Sequence, residues 1–184
     1  MYTRIIWIAA WGIVSLLPFK VDCAGLLSNR GIHIIGNEYY RFFTGLLVHV
    51  NLFHFLINAV ALYWVLYFLD QKISDVRLLL FSIVAGTLAN VVFSCIYPDS
   101  QSVGGSPVVF SLIAFLAVQQ LLQKELPRFD FRTAYGQWII GYAILGNIPV
   151  FSKNLSTLVI HAIAFGIAFL LGAAGIKLHI MIGP

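Results

Sequence analysis

The sequence predicts an all-α polytopic membrane protein, a bundle of six transmembrane helices, and three observations carry that expectation. The 184 residues are 60% hydrophobic and only 10% charged, against roughly 25% charged in an ordinary soluble domain. Six windows without Asp, Glu, Lys or Arg follow one another along the chain, at 5–19, 42–69, 78–98, 100–123, 133–152 and 154–176, and about 20 apolar residues span the hydrocarbon as a helix. Their apolar runs are continuous rather than alternating. That favours helices over a barrel, because a helix satisfies its backbone groups internally where lipid offers no water.

The first window follows Arg4 and ends in Pro18-Phe19-Lys20; without a small-residue cleavage site it reads as a retained helix and not as a signal peptide. The second window carries His49, His54 and Asn58 near its start. The third ends near Cys95, and the fourth opens on a glycine-rich turn, Val103-Gly104-Gly105-Ser106-Pro107. The fifth has no candidate for chemistry, and the sixth contains His161. Little sequence remains outside these windows, so residues 1–184 are expected to form a single domain. Cys23 and Cys95 are expected as unpaired thiols.

Basic residues set the expected orientation. With the N-terminus inside, the cytoplasmic segments hold Arg4, Lys72, Arg77, Lys124, Arg128, Arg132 and Lys177, and the outer ones hold Lys20, Arg30, Arg41 and Lys153. Seven against four favours both termini in the cytoplasm. The net charge of +4 is dispersed among loops, which gives no basic stripe and no support for nucleic-acid binding. Tyr2, Trp7, Trp64, Tyr67, Tyr97, Tyr135 and Trp138 lie near the window ends and read as interfacial aromatics.

Alternate spans point the same way, so the polar residues near the starts of windows two, four and six share one membrane face. Ser106 precedes a proline at the start of a helix, which suits a helix N-cap and puts the hydroxyl where the positive end of a helix would stabilise an oxyanion. Ser-Pro at a helix start is also ordinary capping chemistry. His161 lies about 10 Å into its span at 1.5 Å per residue, where strongly polar side chains face the protein interior or a wet cavity. An imidazole there can take a serine proton and return it to a leaving amine. With no acidic residue near His161, a Ser/His dyad is expected in preference to a triad. His54 and Asn58, four apart, share one helical face, and donors of this kind each contribute roughly 3 kcal/mol when aimed at a tetrahedral intermediate. His49 reads as a residue that orders the loop entering the second span.

Glu38-Tyr39-Tyr40-Arg41-Phe42-Phe43-Thr44, then His49, the His54 and Asn58 pair, Gly104-Gly105-Ser106 and His161 together resemble the rhomboid intramembrane serine proteases, in order and spacing, from about Glu38 to Gly172. The resemblance implies a six-helix rhomboid-like core with Ser106 as nucleophile and His161 as general base. It also implies that His54, Asn58 and the Ser106 backbone N–H form the oxyanion hole, that Gly104 and Gly105 shape the turn, and that Glu38 and Arg41 order the long loop between spans one and two. Read independently, Glu38 and Arg41 are three apart and can pair, although an exposed pair contributes little. The chain departs from the family pattern at Tyr40, where tryptophan is usual, and at Pro107, Ala164 and Ala168, where glycine is usual. Pro107 removes one backbone N–H after the serine. Each alanine methyl adds width where spans four and six meet, while staying small enough for close approach.

The resulting expectation is a serine endopeptidase that cleaves transmembrane proteins within or beside their membrane segments, embedded in a lipid bilayer. The cytoplasmic membrane of a bacterium is the expected location, with the site toward the outer face. The segments 20–41 and 149–154 are its candidate gates. The alternative is an inactive rhomboid-like protein that binds or escorts membrane helices. A channel or transporter accounts for the composition but not for Gly104-Gly105-Ser106 on the face of His54 and His161, and no half-to-half repeat is evident. No metal or other cofactor is expected: His49 and His54 are five apart, with no acidic or cysteine ligand beside them.

Overall fold

A computed structural model of the protein describes residues 2–16, 22–69, 73–148 and 155–181. The chain runs α1 (Tyr2–Leu16), α2 (Cys23–Leu27), β1 (Asn29–Arg30), α3 (Arg41–Thr44), α4 (Leu52–Leu69), α5 (Asp75–Ile96), β2 (Gln101–Ser102), α6 (Ser106–Leu122), α7 (Ala134–Leu145) and α8 (Ser156–Lys177). The all-α expectation holds. Among the described residues three helices, α4, α5 and α8, are long and apolar enough to cross a membrane, and α6 is a shorter apolar helix of 17 residues. Lys20, Lys72, Lys153 and the candidate gate 149–154 lie outside the described residues, as does the start of the candidate gate 20–41.

α6 is central. It packs against α4, α5 and α8, while α7 leans on α4, and α1 on α4 and α5. Val108, Val109, Leu112, Phe115 and Val118 of α6 are wholly buried, which explains why the helix is apolar around its whole circumference and not along one stripe. Ala85, Ala114 and Ala168 meet as a fully buried group from α5, α6 and α8. Ala164 is equally buried. A methyl added at Gly172 lies 2.9 Å from the Phe115 ring. Small side chains thus set how closely α8 approaches, as expected where lipid tails are as apolar as the core and packing supplies the attraction.

Both ends of α5 are fastened to neighbouring segments. At one end the Tyr2 N–H donates to Asp75 Oδ2 at 2.9 Å, and the Thr3 hydroxyl donates to the Asp75 carbonyl at 2.6 Å. At the other end β1 and β2 pair antiparallel, Asn29 opposite Ser102 and Arg30 opposite Gln101. Trp7 belongs to this packing: it is buried, its indole N–H donates to Ser82 Oγ at 2.9 Å, and it is not an interfacial aromatic. Cys23 and Cys95 are free thiols, as read from the sequence.

The second window is not one helix. Its first ten residues form α3 and a loop, and α4 starts only at Leu52, where Asn51 Oδ1 accepts the His54 backbone N–H at 2.8 Å. An asparagine cap of this kind satisfies a donor that the helix start leaves unpaired.

The segment ahead of that loop is organised by Arg41, whose side chain is only 3% exposed. Its Nε donates to Glu38 Oε2 at 2.7 Å and its Nη1 to the carbonyls of Gly25 and Ser28 at 3.0 and 3.3 Å. Arg30 adds a second contact to Glu38. The guanidinium is therefore buried, while the Glu38 carboxylate reaches it from a half-exposed position. Leaving a buried guanidinium without its partner is costly, which makes the cluster a clamp on residues 25–41.

Two outcomes follow. Ala168→Leu overpacks the alanine contact and should lower stability by about 1–3 kcal/mol, read from unfolding in mixed micelles, whereas Ala168→Gly should cost less. The Arg41 hydrogen bond, with the positive charges of Arg41 and Arg30, holds the Glu38 carboxyl below its ordinary value of 4.5. Its contribution is therefore complete above that value and is lost as pH falls through the lower folded-state value. Hydrogen exchange in residues 25–41 should accelerate over that acid range, and Glu38→Gln should remove the pH dependence.

Candidate active site

The turn 103–106 is held from three sides. The Gly104 N–H donates to the Gly45 carbonyl at 3.1 Å. The Gly105 N–H donates to His49 Nε2 at 3.3 Å. An added Cβ at Gly105 falls 2.2 Å from the Trp11 ring, so the indole occupies the space that any side chain needs. Gly104 has φ +137°, a conformation that glycine adopts without strain.

A Cβ at Gly104 also falls 2.9 Å from His54 Cε1 and 3.6 Å from Ser106 Oγ. The absence of a side chain at Gly104 therefore keeps open the gap between His54 and Ser106. His49, expected to order the loop entering the second span, accepts the Gly105 N–H and so holds the serine turn. Its ring packs edge-on to Trp11 and His54, with centroids 5.2 and 5.1 Å away.

Ser106 is the first residue of α6, with Gly105 as the N-cap and Pro107 in the first turn. This corrects the expectation that Ser106 caps the helix. Gly105 already has helical angles, φ −75° and ψ −3°, and no side chain caps the helix. The helix is entered one residue early, and the Ser106 hydroxyl is released from capping.

Ser106, His161, His54 and Asn58 all line one cavity of about 300 Å³, together with residues 100–103, Tyr142 and Ser156. Ser106 and His161 are buried, 8% and 4% exposed. Among the described residues no hydrogen bond joins the Ser106 hydroxyl to the imidazole. Glu38 and Arg41 stand apart from the cavity, in the clamp described above.

Asn58 is tied on both sides of its amide: Nδ2 donates to the His54 carbonyl at 2.7 Å, and Oδ1 accepts from the Tyr142 hydroxyl at 2.7 Å. One Nδ2 hydrogen remains. His161 stacks on Phe110, with centroids 4.0 Å apart and planes 15° from parallel. Its Nδ1 lies 3.0 Å from Asn147 Oδ1.

Tyr142, Asn147 and Phe110 have no part in the site read from the sequence. Phe110 stands four residues after Ser106, on the same helical face, and that spacing was the available signal. Tyr142 and Asn147 come from the window that held no recognised candidate.

A second, apolar cavity of about 450 Å³ lies between α4 and α7, walled by Phe53, Trp138, Gly141 and Leu145, and it shares Ile57, Tyr142 and Gly146 with the first. Polar and apolar spaces therefore meet along a common wall.

A search of curated proteins returned no match to the chain. A family model, the Rhomboid domain, matches residues 36–177. The match begins just ahead of the Glu38 clamp and ends with α8, so it takes in the cavity and every residue singled out around it except Trp11. The chain is an integral membrane protein that belongs to the rhomboid family.

Proposed function

We propose that the protein is an intramembrane serine endopeptidase of six membrane spans, in which Ser106 attacks a peptide carbonyl of a membrane-embedded substrate. The single observation that carries this reading is the common cavity of Ser106, His161, His54 and Asn58, within a chain of a family that the resemblance associates with such proteases. Catalysis begins when Ser106 Oγ bonds to the carbonyl carbon while its proton passes to His161. The tetrahedral intermediate collapses as His161 gives that proton to the leaving amine, and water then releases the acyl group by the same route in reverse.

The negative oxygen of the intermediate is met by the Ser106 backbone N–H, the His54 ring and the remaining hydrogen of Asn58, at the positive end of α6. Pro107 removes a different N–H and leaves that of Ser106 in place. The missing Ser106 to His161 hydrogen bond is compatible with catalysis, since such contacts are often long before substrate binds.

The substrate is a transmembrane protein. A membrane helix hides its peptide bonds in its own hydrogen bonds, so it must unwind locally before attack, which favours substrates with small or helix-weakening residues at the cleavage site. The apolar cavity between α4 and α7 supports a side approach from the lipid, while the polar cavity supplies water. The charge bias among loops supports cytoplasmic termini and a site toward the outer face; the membrane in this reading is a bacterial cytoplasmic membrane.

An inactive, helix-binding reading is favoured by one observation, that among the described residues Ser106 and His161 are not hydrogen-bonded to each other, and the same experiment separates the two. Purified protein in lipid should cleave a single-span substrate carrying a flexible Gly-Ala segment near its outer end, and Ser106→Ala should abolish cleavage. Stable substrate binding with no cleavage by the unmodified protein contradicts the protease reading. His54→Ala should lower kcat by roughly 100-fold with little change in KM, the signature of a donor used mainly in the transition state.

A further inference from the structure

The imidazole of His161 is restrained by two contacts of different kinds. Stacking on Phe110 sets the plane of the ring, and an aromatic pair of this sort is worth about 0.5–1.5 kcal/mol. Stacking is nevertheless indifferent to a half-turn about Cβ–Cγ, which exchanges Nδ1 with Cδ2 and Nε2 with Cε1, and to which nitrogen carries the hydrogen. Packing leaves that choice open too, because His161 borders a cavity on each side, that of Ser106 and another of about 380 Å³ walled by Asn147, Leu158 and Phe165. Among the described residues, the hydrogen bond to Asn147 is what selects both the side on which Nδ1 lies and the nitrogen that carries the hydrogen.

The orientation of the Asn147 amide is itself fixed. Its Nδ2 donates to the Ala143 carbonyl, one turn back along α7, at 2.7 Å. Reversing the amide sets two carbonyl oxygens against each other. Oδ1, an acceptor only, therefore faces His161 Nδ1 at 3.0 Å, and that nitrogen must carry the hydrogen. Nε2 is left with its lone pair. Asn147 borders the second cavity and not the first, so the nitrogen left over is the one available to the Ser106 side.

We propose that Asn147 is a positioning residue for His161, holding it in the Nδ1–H tautomer with Nε2 presented as the proton acceptor to Ser106. The chemical meaning of this arrangement rests on the protease reading, whereas the tautomer rests on geometry alone. Asn147 thereby stands behind the Ser106/His161 dyad as a hydrogen-bond acceptor that itself takes no proton. The amide also stabilises the imidazolium that forms when His161 takes the serine proton, because a hydrogen bond from a charged donor is the stronger one.

The test combines kinetics with a readout independent of activity. ¹⁵N spectra of histidine-labelled protein, with His161 identified by the signals lost in His161→Gln, should show Nδ1–H in the unmodified protein and a mixture of tautomers in Asn147→Ala. In the cleavage assay Asn147→Ala should lower kcat roughly 10–100-fold, the range for outer partners of a working imidazole, with KM little changed. Asn147→Asp keeps an acceptor and should recover most of that loss. Its negative charge beside the ring favours the imidazolium, so the acid limb of the pH profile should move upward by about one unit or more.

An unchanged tautomer in Asn147→Ala overturns the inference, and so do Ala and Asp variants with the rate and pH profile of the unmodified protein. If Asn147→Ala does not fold, the pH shift of Asn147→Asp decides. If the unmodified protein cleaves nothing, the protease reading fails by itself. The Nδ1–H signal and its loss in Asn147→Ala then still uphold the positioning contact, and their absence overturns it.

Discussion

The turn before α6 can take only one shape, and the site is built around it. Gly104 and Gly105 lie where the Gly45 carbonyl, the His49 imidazole and the Trp11 indole converge. A Cβ at Gly105 would run into the Trp11 ring, and one at Gly104 into His54. The constraint reaches outward as well, because Gly45 follows α3, and α3 begins at the buried Arg41. The clamp at Glu38 and Arg41 is thus joined to the serine by a short chain of backbone contacts, although it is remote from the cavity itself. A loop that is loosely held would leave the hydroxyl in many positions, and a nucleophile misplaced by about 1 Å loses much of its rate.

Burying so many polar groups among apolar helices is costly unless each finds a partner. Here the partners serve position as well as solvation. Asn58 is held between the His54 carbonyl and Tyr142, Asn90 donates to the Phe42 carbonyl, and Ser94 donates to Asn29, whose amide in turn donates to Ser102. These bonds fasten α3 and β1 to α5, β1 to β2, and α4 to α7. The cavity is left lined by Ser106, His161 and His54, surrounded by side chains whose own orientation is settled elsewhere.

Much of this was legible in the residues. Charge-free windows gave the helices, and the positions of His54, Ser106 and His161 near the starts of alternate windows gave a common face. What the windows could not give was where each helix begins, since lack of charge does not separate helix from apolar loop. Residues 42–51 are uncharged yet form α3 and a loop, and α7 occupies only Ala134–Leu145 of its window. The partners were harder still. Tyr142 and Asn147 matter because of what they touch on α4 and α8, and no spacing along α7 encodes a contact with residues 84 or 14 positions away. Trp7 was misread for the same reason: an aromatic near a span end faces lipid headgroups or the core according to its neighbours, and Ser82 is a neighbour only in three dimensions. Ala164 and Ala168, where the family pattern has glycine, are both fully buried on α8, and Ala168 packs against Ala85 and Ala114.

The central claim is that the Ser106 oxygen is a nucleophile activated by His161. Peptide mapping of the protein after exposure to a fluorophosphonate tests it most directly, since the adduct records which oxygen attacked. The account predicts a single phosphonyl group on Ser106, formed in the unmodified protein and absent from His161→Ala. An unlabelled Ser106 in folded protein, or equal labelling with and without His161, contradicts it.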